Sequence, residues 1–182
     1  MNGSSHMWLT HTDEGALNWL VDTHDIHSFF DLGCGTMGMI ELSLARDLYV
    51  LGLDGDKALL GKVPYPNNLI MHDLTTGIYK SPKKFDAIWC VEVLEHIPQE
   101  FVPNVMQTLL YAISINGLVI MTHALPGTES ASHVNCQKED YWLDMFDVYA
   151  FDYLPKETEE LKKHSTMQRE FIQKTGKVFR VR

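Results

Sequence analysis

Asp31-Leu32-Gly33-Cys34-Gly35-Thr36-Met37-Gly38 sets a carboxylate and three glycines between two differently patterned segments. His27-Ser-Phe-Phe30 before it reads as a short apolar strand, and Met39 to Leu48 after it repeats apolar residues at helical spacing. A strand therefore stops here and a helix begins. Glycine permits positive φ and carries no Cβ to hold a ligand away from the backbone, while the free amides of a helix start favour electron-rich groups. Asp54 closes a second apolar run, Tyr49 to Asp54, and lies 21 residues beyond Gly33. That is the spacing at which an acid meets ribose hydroxyls in nucleotide-binding βαβ units. Asp31 is unusual for a dinucleotide fold, which places an inward apolar residue two positions before the first glycine. A carboxylate there suits a ligand with positive charge, such as an ammonium or a nearby sulfonium.

Outward from this loop the hydrophobic period keeps switching. Strand patterns fall at 28–32, 49–54, 68–72, 85–91 and 118–123, with helical patterns between them, an order that implies parallel strands joined by helical crossovers. Residues 13–21 predict an amphipathic helix with Thr12 as its cap, and a helix starting near Gln99 is expected to stop at Asn116-Gly117. Beyond the fifth strand the pattern predicts helix over 138–147, strand over 148–154, one helix over 155–174 and a last strand over 177–181. The expected fold class is α/β, a single Rossmann-like doubly wound sheet of seven strands with helices on both faces. There is no internal repeat, low-complexity tract or linker, so residues 1–182 read as one domain, with 1–8 as a flexible N-terminus and 124–137 as a loop over the ligand side. Ligands are expected beyond the carboxyl ends of the strands.

Composition narrows the function classes. Of the 182 residues 45% are hydrophobic and 21% charged, ordinary values for a chain that buries a core. Cys34, Cys90 and Cys136 are few, odd in number and widely spaced, which argues for reduced thiols. Nine histidines without an H-E-x-x-H arrangement give no expected metal site. No apolar run approaches the roughly 20 residues of a membrane span, and Met1 to Met7 lacks the regions of a signal peptide, so a cytoplasmic protein is expected. The net charge of −9 hides an asymmetry: residues 162–182 carry seven Lys or Arg against Glu170 alone. That basic segment reads either as a solvated helix face complementing an acidic body or as a docking surface. An acidic chain is repelled by duplex nucleic acid, which disfavours that substrate.

Four blocks in order, D-L-G-C-G from Asp31, L-G-L-D ending at Asp54, H-D-L from His72 and F-D-A-I-W-C-V-E-V-L-E-H-I-P from Phe85, resemble those of class I S-adenosylmethionine-dependent methyltransferases, of the small type 11/23-like kind. The resemblance covers residues 26–125. It implies S-adenosylmethionine as cofactor and a seventh strand inserted antiparallel in the sheet. Gly33 and Gly35, with Cys34 between them and Asp31 beside them, would meet the methionine part. Asp54 and the adjoining Gly55 would bind the ribose, Asp73 and Leu74 would frame the adenine, and Glu92, Val93 and His96 would line the cleft.

Each of these residues also has a plain structural reading. Asp54 can terminate a strand or cap the turn at Asp56, Asp73 can open the turn at Thr75-Thr76-Gly77, Glu92 and Glu95 can be solvated acids, and His96 can serve a structural hydrogen bond. The acceptor side must come from the second half. His123 and His133 are the candidate bases, and Asn135, Tyr141 and Trp142 the candidate substrate contacts; Leu143 and Phe146 on the same helix place at least one of the two aromatics in the core. No Asp/Asn-Pro-Pro-Tyr follows the fourth strand and no Pro-Cys pair is present, which argues against methylation of DNA bases. The expected reaction is methyl transfer to an O, N or C nucleophile of a small molecule or sugar. A non-catalytic S-adenosylmethionine-binding module and an NAD-dependent oxidoreductase are the alternatives.

Overall fold

A computed structural model describes residues 11–182; the flexible terminus expected at 1–8 lies outside the described residues. Seven strands, β1 (Ser28–Leu32), β2 (Tyr49–Asp54), β3 (Leu69–Met71), β4 (Phe85–Cys90), β5 (Ile113–Met121), β6 (Phe151–Tyr153) and β7 (Lys177–Val181), form one sheet in the order β3-β2-β1-β4-β5-β7-β6. β1 to β5 run parallel, and β7 inserts antiparallel between β5 and β6. The helices are α1 (Glu14–His24), α2 (Gly38–Ala45), α3 (Val102–Ala112), α4 (Glu139–Val148), α5 (Pro155–His164) and α6 (Phe171–Thr175).

Period-two alternation divides the core between the two faces of the sheet. Phe29, Ala87 and Trp89 pack with Ala16, Leu17 and Leu20 of α1, Ile40 of α2 and Leu161 of α5. Phe30 and Ile88 turn the other way, onto Val105 and Leu109 of α3 and Trp142 and Phe146 of α4. Covering both faces explains why β4 is apolar along nearly its whole length. Among the described residues no helix is long and apolar enough to cross a membrane.

Four local expectations need correction. The α1 cap is Asp13, whose Oδ1 accepts from Ala16 N at 3.0 Å. Asp13 is fully buried because it also accepts from Thr166 N at 2.8 Å and from the Ser165 hydroxyl, tying α1 to the chain end. Those bonds interrupt the helix expected over 155–174, which splits into α5 and α6 around 165–170. Asn116-Gly117 does not stop a helix: α3 ends at Ala112, and β5 starts at once. Asn116 takes φ 67° inside the strand, and the pairing jumps from Phe85–Ile113 to Ala87–Leu118, so the Asn-Gly pair forms a bulge. Finally, α4 runs through Val148, leaving only three residues to β6.

Candidate functional site

The chain reverses its direction of strand addition between β1 and β4, and the loops leaving these strands diverge to open a cleft of about 360 Å³. Its floor is the glycine loop, where Gly33, Gly35 and Met37 all take positive φ (81°, 49° and 72°). The turn is held by Gly33 N and Cys34 N donating to Leu53 O at 2.7 and 3.2 Å, and by Met37 N donating to Cys34 O at 2.9 Å. A Cβ on Gly33 would stand 2.4 Å from Val93 Cγ2, so this glycine lets two cleft loops touch. A Cβ on Gly35 would meet nothing within 4 Å; it would project into open space.

Asp54 serves loop and cleft together. One carboxylate oxygen accepts from Gly35 N at 2.9 Å and the other from Asp56 N at 2.8 Å. Burial raises its pKa, and these amide bonds oppose the shift. Capping of the next turn falls to Asp56, whose own carboxylate accepts from Ala58 N at 2.8 Å. Gly55 packs against Asp73, 3.2 Å from where its Cβ would be to the Asp73 Cα. Asp73 accepts from both the amide and the hydroxyl of Thr75, at 2.8 and 2.7 Å, which lowers its pKa, and it still lines the cleft. Asn104 of α3 fixes Leu74 by donating to its carbonyl at 2.7 Å. The turn and cleft readings of Asp73 thus coexist in one side chain.

The cleft wall contains Gly33, Gly35, Asp54, Gly55, Asp73 and Leu74, and on the β4 side Glu92, Val93 and His96. Asp31 and Cys34 are absent from it. Asp31 is 4% exposed at the carboxyl end of β1, and burial, followed by the repulsion of Asp54, pushes its pKa up to about 8. Cys34 lies against Gly52, whose added Cβ would be 2.7 Å from its Sγ. Burial raises the pKa of both Cys34 and Cys90, so these thiols are packing groups. Leu59, Ile97 and Ser132, which no sequence pattern singles out as site residues, also line the wall.

A second cavity, of about 420 Å³, lies beyond Glu92, and Glu92 lines both. Glu92 takes φ 58°, donates its amide to Thr122 Oγ1 at 2.8 Å and accepts from the same hydroxyl at 2.9 Å. Burial, then the neighbouring Glu95, pushes its pKa up to about 8. His123 and His133 stand in the second cavity's wall with Leu125, Arg169 and Phe171. His123 is 2% exposed, its Nε2 makes no hydrogen bond, and burial lowers its pKa. Arg169, in the α5–α6 interruption, and Phe171, at the start of α6, reach this wall.

The remaining substrate-side candidates lie outside both cavities. Trp142 is fully buried between the sheet and α4, Tyr141 stacks edge-on against it at 4.9 Å, and Asn135 is 3% exposed, its Oδ1 accepting from Gln137 Nε2 at 3.1 Å. Glu95, read as a candidate solvated acid, is fully buried. Glu95, His96 and His133 bring their potential ligand atoms within 4.8 Å of one another. The basic segment is largely paired. Lys163 meets Glu160 at 2.7 Å, Lys174 meets Glu170 at 3.0 Å, Lys177 meets Glu139 at 2.9 Å and Arg182 meets Asp147 at 2.8 Å.

No protein-family model and no curated protein sequence matches this chain. Solved structures do resemble it. An S-adenosylmethionine-dependent methyltransferase from Clostridium acetobutylicum ATCC 824 superposes with a TM-score of 0.70 at 11% identity, over 92% of this chain and 90% of that one. The plantazolicin methyltransferase BpumL, solved with a pentazolic desmethylPZN analog and SAH, gives 0.62 at 14% identity over 93% and 83%. PKMT2 from Rickettsia typhi in complex with AdoHcy gives 0.62 at 14% identity over 92% of this chain, which spans about half of PKMT2's length (52%). The chain has the class I S-adenosylmethionine-dependent methyltransferase fold.

Proposed function

We propose that this chain binds S-adenosylmethionine in the cleft over the glycine loop and transfers its methyl group to an O, N or C nucleophile of a small molecule in the second cavity. The observation that carries the reading is the meeting of the two cavities at Glu92, the arrangement needed to bring a donor and an acceptor face to face.

The residues present fit such a cofactor. Gly35 leaves open space where any side chain would intrude, and Asp54 is oriented by two amides with lone pairs to spare for a ribose diol. Asp73, held by Thr75, and the apolar Leu74 suit an adenine edge and face. When bound, S-adenosylmethionine supplies an electrophilic methyl on a sulfonium sulfur. The protein's work is to position and to dry the site. Glu92, which lines the cleft, is the carboxyl group that would hold the cationic amino-acid end, a ground-state interaction that strengthens binding more than rate.

For an acceptor that must lose a proton, His123 is the base we assign. Burial keeps its imidazole neutral at pH 7, and it lies in the wall of the acceptor cavity. His133 Nδ1 is engaged with Thr128 O at 3.2 Å and orients the loop.

Calorimetric titration with S-adenosylmethionine, S-adenosylhomocysteine and NAD⁺ tests the reading. Micromolar binding of both adenosyl ligands with none of NAD⁺, followed by turnover in a screen of small-molecule acceptors, is the expected result. A folded sample that binds only NAD⁺, or none of the three, overturns it.

A further inference from the structure

The loop between β5 and α4 is pinned to the turn after β4 by its main chain: Val134 N and Asn135 N both donate to Glu95 O, at 2.8 and 3.1 Å. That pinning sets His133 beside His96, their rings edge to face at 4.9 Å, and brings one ligand atom from each of Glu95, His96 and His133 within 4.8 Å of the others. Both imidazoles are oriented by main-chain carbonyls, His96 Nδ1 at 2.7 Å from Ser132 O and His133 Nδ1 at 3.2 Å from Thr128 O. Histidine ligands of metals are held by the same kind of outer contact, which fixes ring and tautomer. Glu95 is the second observation. It is fully buried, and the side-chain partner of its carboxyl is another carboxyl, that of Glu92. Buried carboxylates otherwise find donors or cations.

We propose that Glu95, His96 and His133 bind a divalent first-row transition-metal ion at the seam between the two cavities. One carboxylate and two imidazoles suit manganese, iron, cobalt or zinc over magnesium or calcium, which prefer all-oxygen sets. Bonds of about 2.0–2.2 Å place ligand atoms about 3–3.5 Å apart, so the cluster closes by about 1–2 Å on loading. His133 rides on a loop and can supply that movement. The placement also speaks to the acceptor, a step that rests on the proposed methyl transfer. His96 lines the cleft and His133 the second cavity, so the ion would meet an acceptor oxygen where the two spaces join and make a hydroxyl proton easier to lose.

The test uses the full chain, stripped with a chelator and dialysed, and titrated with Mn²⁺, Zn²⁺ and Co²⁺ by calorimetry, with Co²⁺ also followed by its visible absorption. One ion per chain is expected, with a ligand-field band for Co²⁺, and at least tenfold weaker binding in His133→Ala and in Glu95→Gln. His133→Ala alters a loop side chain, and circular dichroism confirms that both variants are folded. No binding by the folded wild type, or binding unchanged in both variants, overturns the site. Titration of the same samples with S-adenosylmethionine separates the two readings: normal cofactor affinity without metal binding sinks the metal site alone, and metal binding without cofactor affinity sinks the methyltransferase reading alone.

Discussion

Replacing Asp31 by Asn should stabilise the free protein, and by an amount that grows with pH. Asp31 is 4% exposed, and its pKa is pushed up from 3.8 to about 8, first by burial and then by Asp54. Between those two values the folded chain holds a proton that the unfolded chain has released, so stability falls as pH rises through the window. Each pKa unit is worth 1.36 kcal/mol, which makes the penalty about 1.6 kcal/mol at pH 5, about 4 kcal/mol at pH 7 and about 5–6 kcal/mol above pH 8, as upper limits. Asn has nearly the same shape and cannot ionise. The gap between variant and wild type should therefore be small near pH 4, widen to pH 8 and then level off. Glu92 and Glu95 titrate abnormally too, but they are present in both proteins and cancel in the difference. Urea denaturation of the pair at pH 4.5, 6, 7 and 8.5 reads the gap directly. A gap that is flat across this range, or a variant that is less stable at pH 8.5, would refute the assignment of Asp31 as a strained buried acid.

Other substitutions probe the remaining parts of the site. Gly35→Val fills the open floor of the cleft at a position of φ 49°, and calorimetry should find no adenosyl-ligand binding in a protein whose sheet remains folded; normal affinity would remove the glycine loop from the site. Asp54→Ala should weaken S-adenosylmethionine binding by roughly 1–3 kcal/mol, about 5- to 150-fold in Kd, through lost charge-assisted hydrogen bonds. An unchanged Kd would leave Asp54 only its bonds to Gly35 and Asp56. His123→Gln should slow transfer to a protonated acceptor by about 10²–10⁴-fold with cofactor affinity unchanged. The wild-type rate should level off at a lower pH than an ordinary imidazole would set, since burial lowers the His123 pKa; a rate that follows a group titrating above pH 7 would exclude this imidazole as the base.

What the sequence disclosed and what it concealed follow from the range of the interactions. The glycine loop, Asp54 and the strands β1, β2 and β4 are legible because each depends on residues within a few positions of one another: glycines where φ is positive, apolar runs where both faces of the sheet are covered. Long-range bonds produced the misreadings. Nothing near Ser165 announces that it will turn to Asp13, 152 positions away, and so break a helix. Asn116-Gly117 carries the same local signal in a helix stop and in a strand bulge, and only the register against β4 decides between them. Tyr141 and Trp142 fall on an amphipathic helix whose burial depends on where α4 meets the sheet. Glu95 and His133 are 38 residues apart, so no spacing rule for metal ligands could have paired them.

The same topology explains why the chemistry gathers at one short turn. The sheet grows outward from β1 through β2 to β3, and in the other direction through β4 to β5, so the loops after β1 and β4 part company and leave a cleft between them. The turn after β4 faces both the cleft and the loop after β5. Its backbone is specialised accordingly: Glu92 takes a left-handed conformation that lets its amide and carboxylate both reach Thr122 at the end of β5, while Glu95 turns inward and presents its carbonyl to the loop carrying His133. Residues 92–96 thus set one cavity's wall, the other's wall and the anchor of the loop between them. A change in this turn should alter donor and acceptor sites together, whereas a change in the glycine loop should affect the donor site alone.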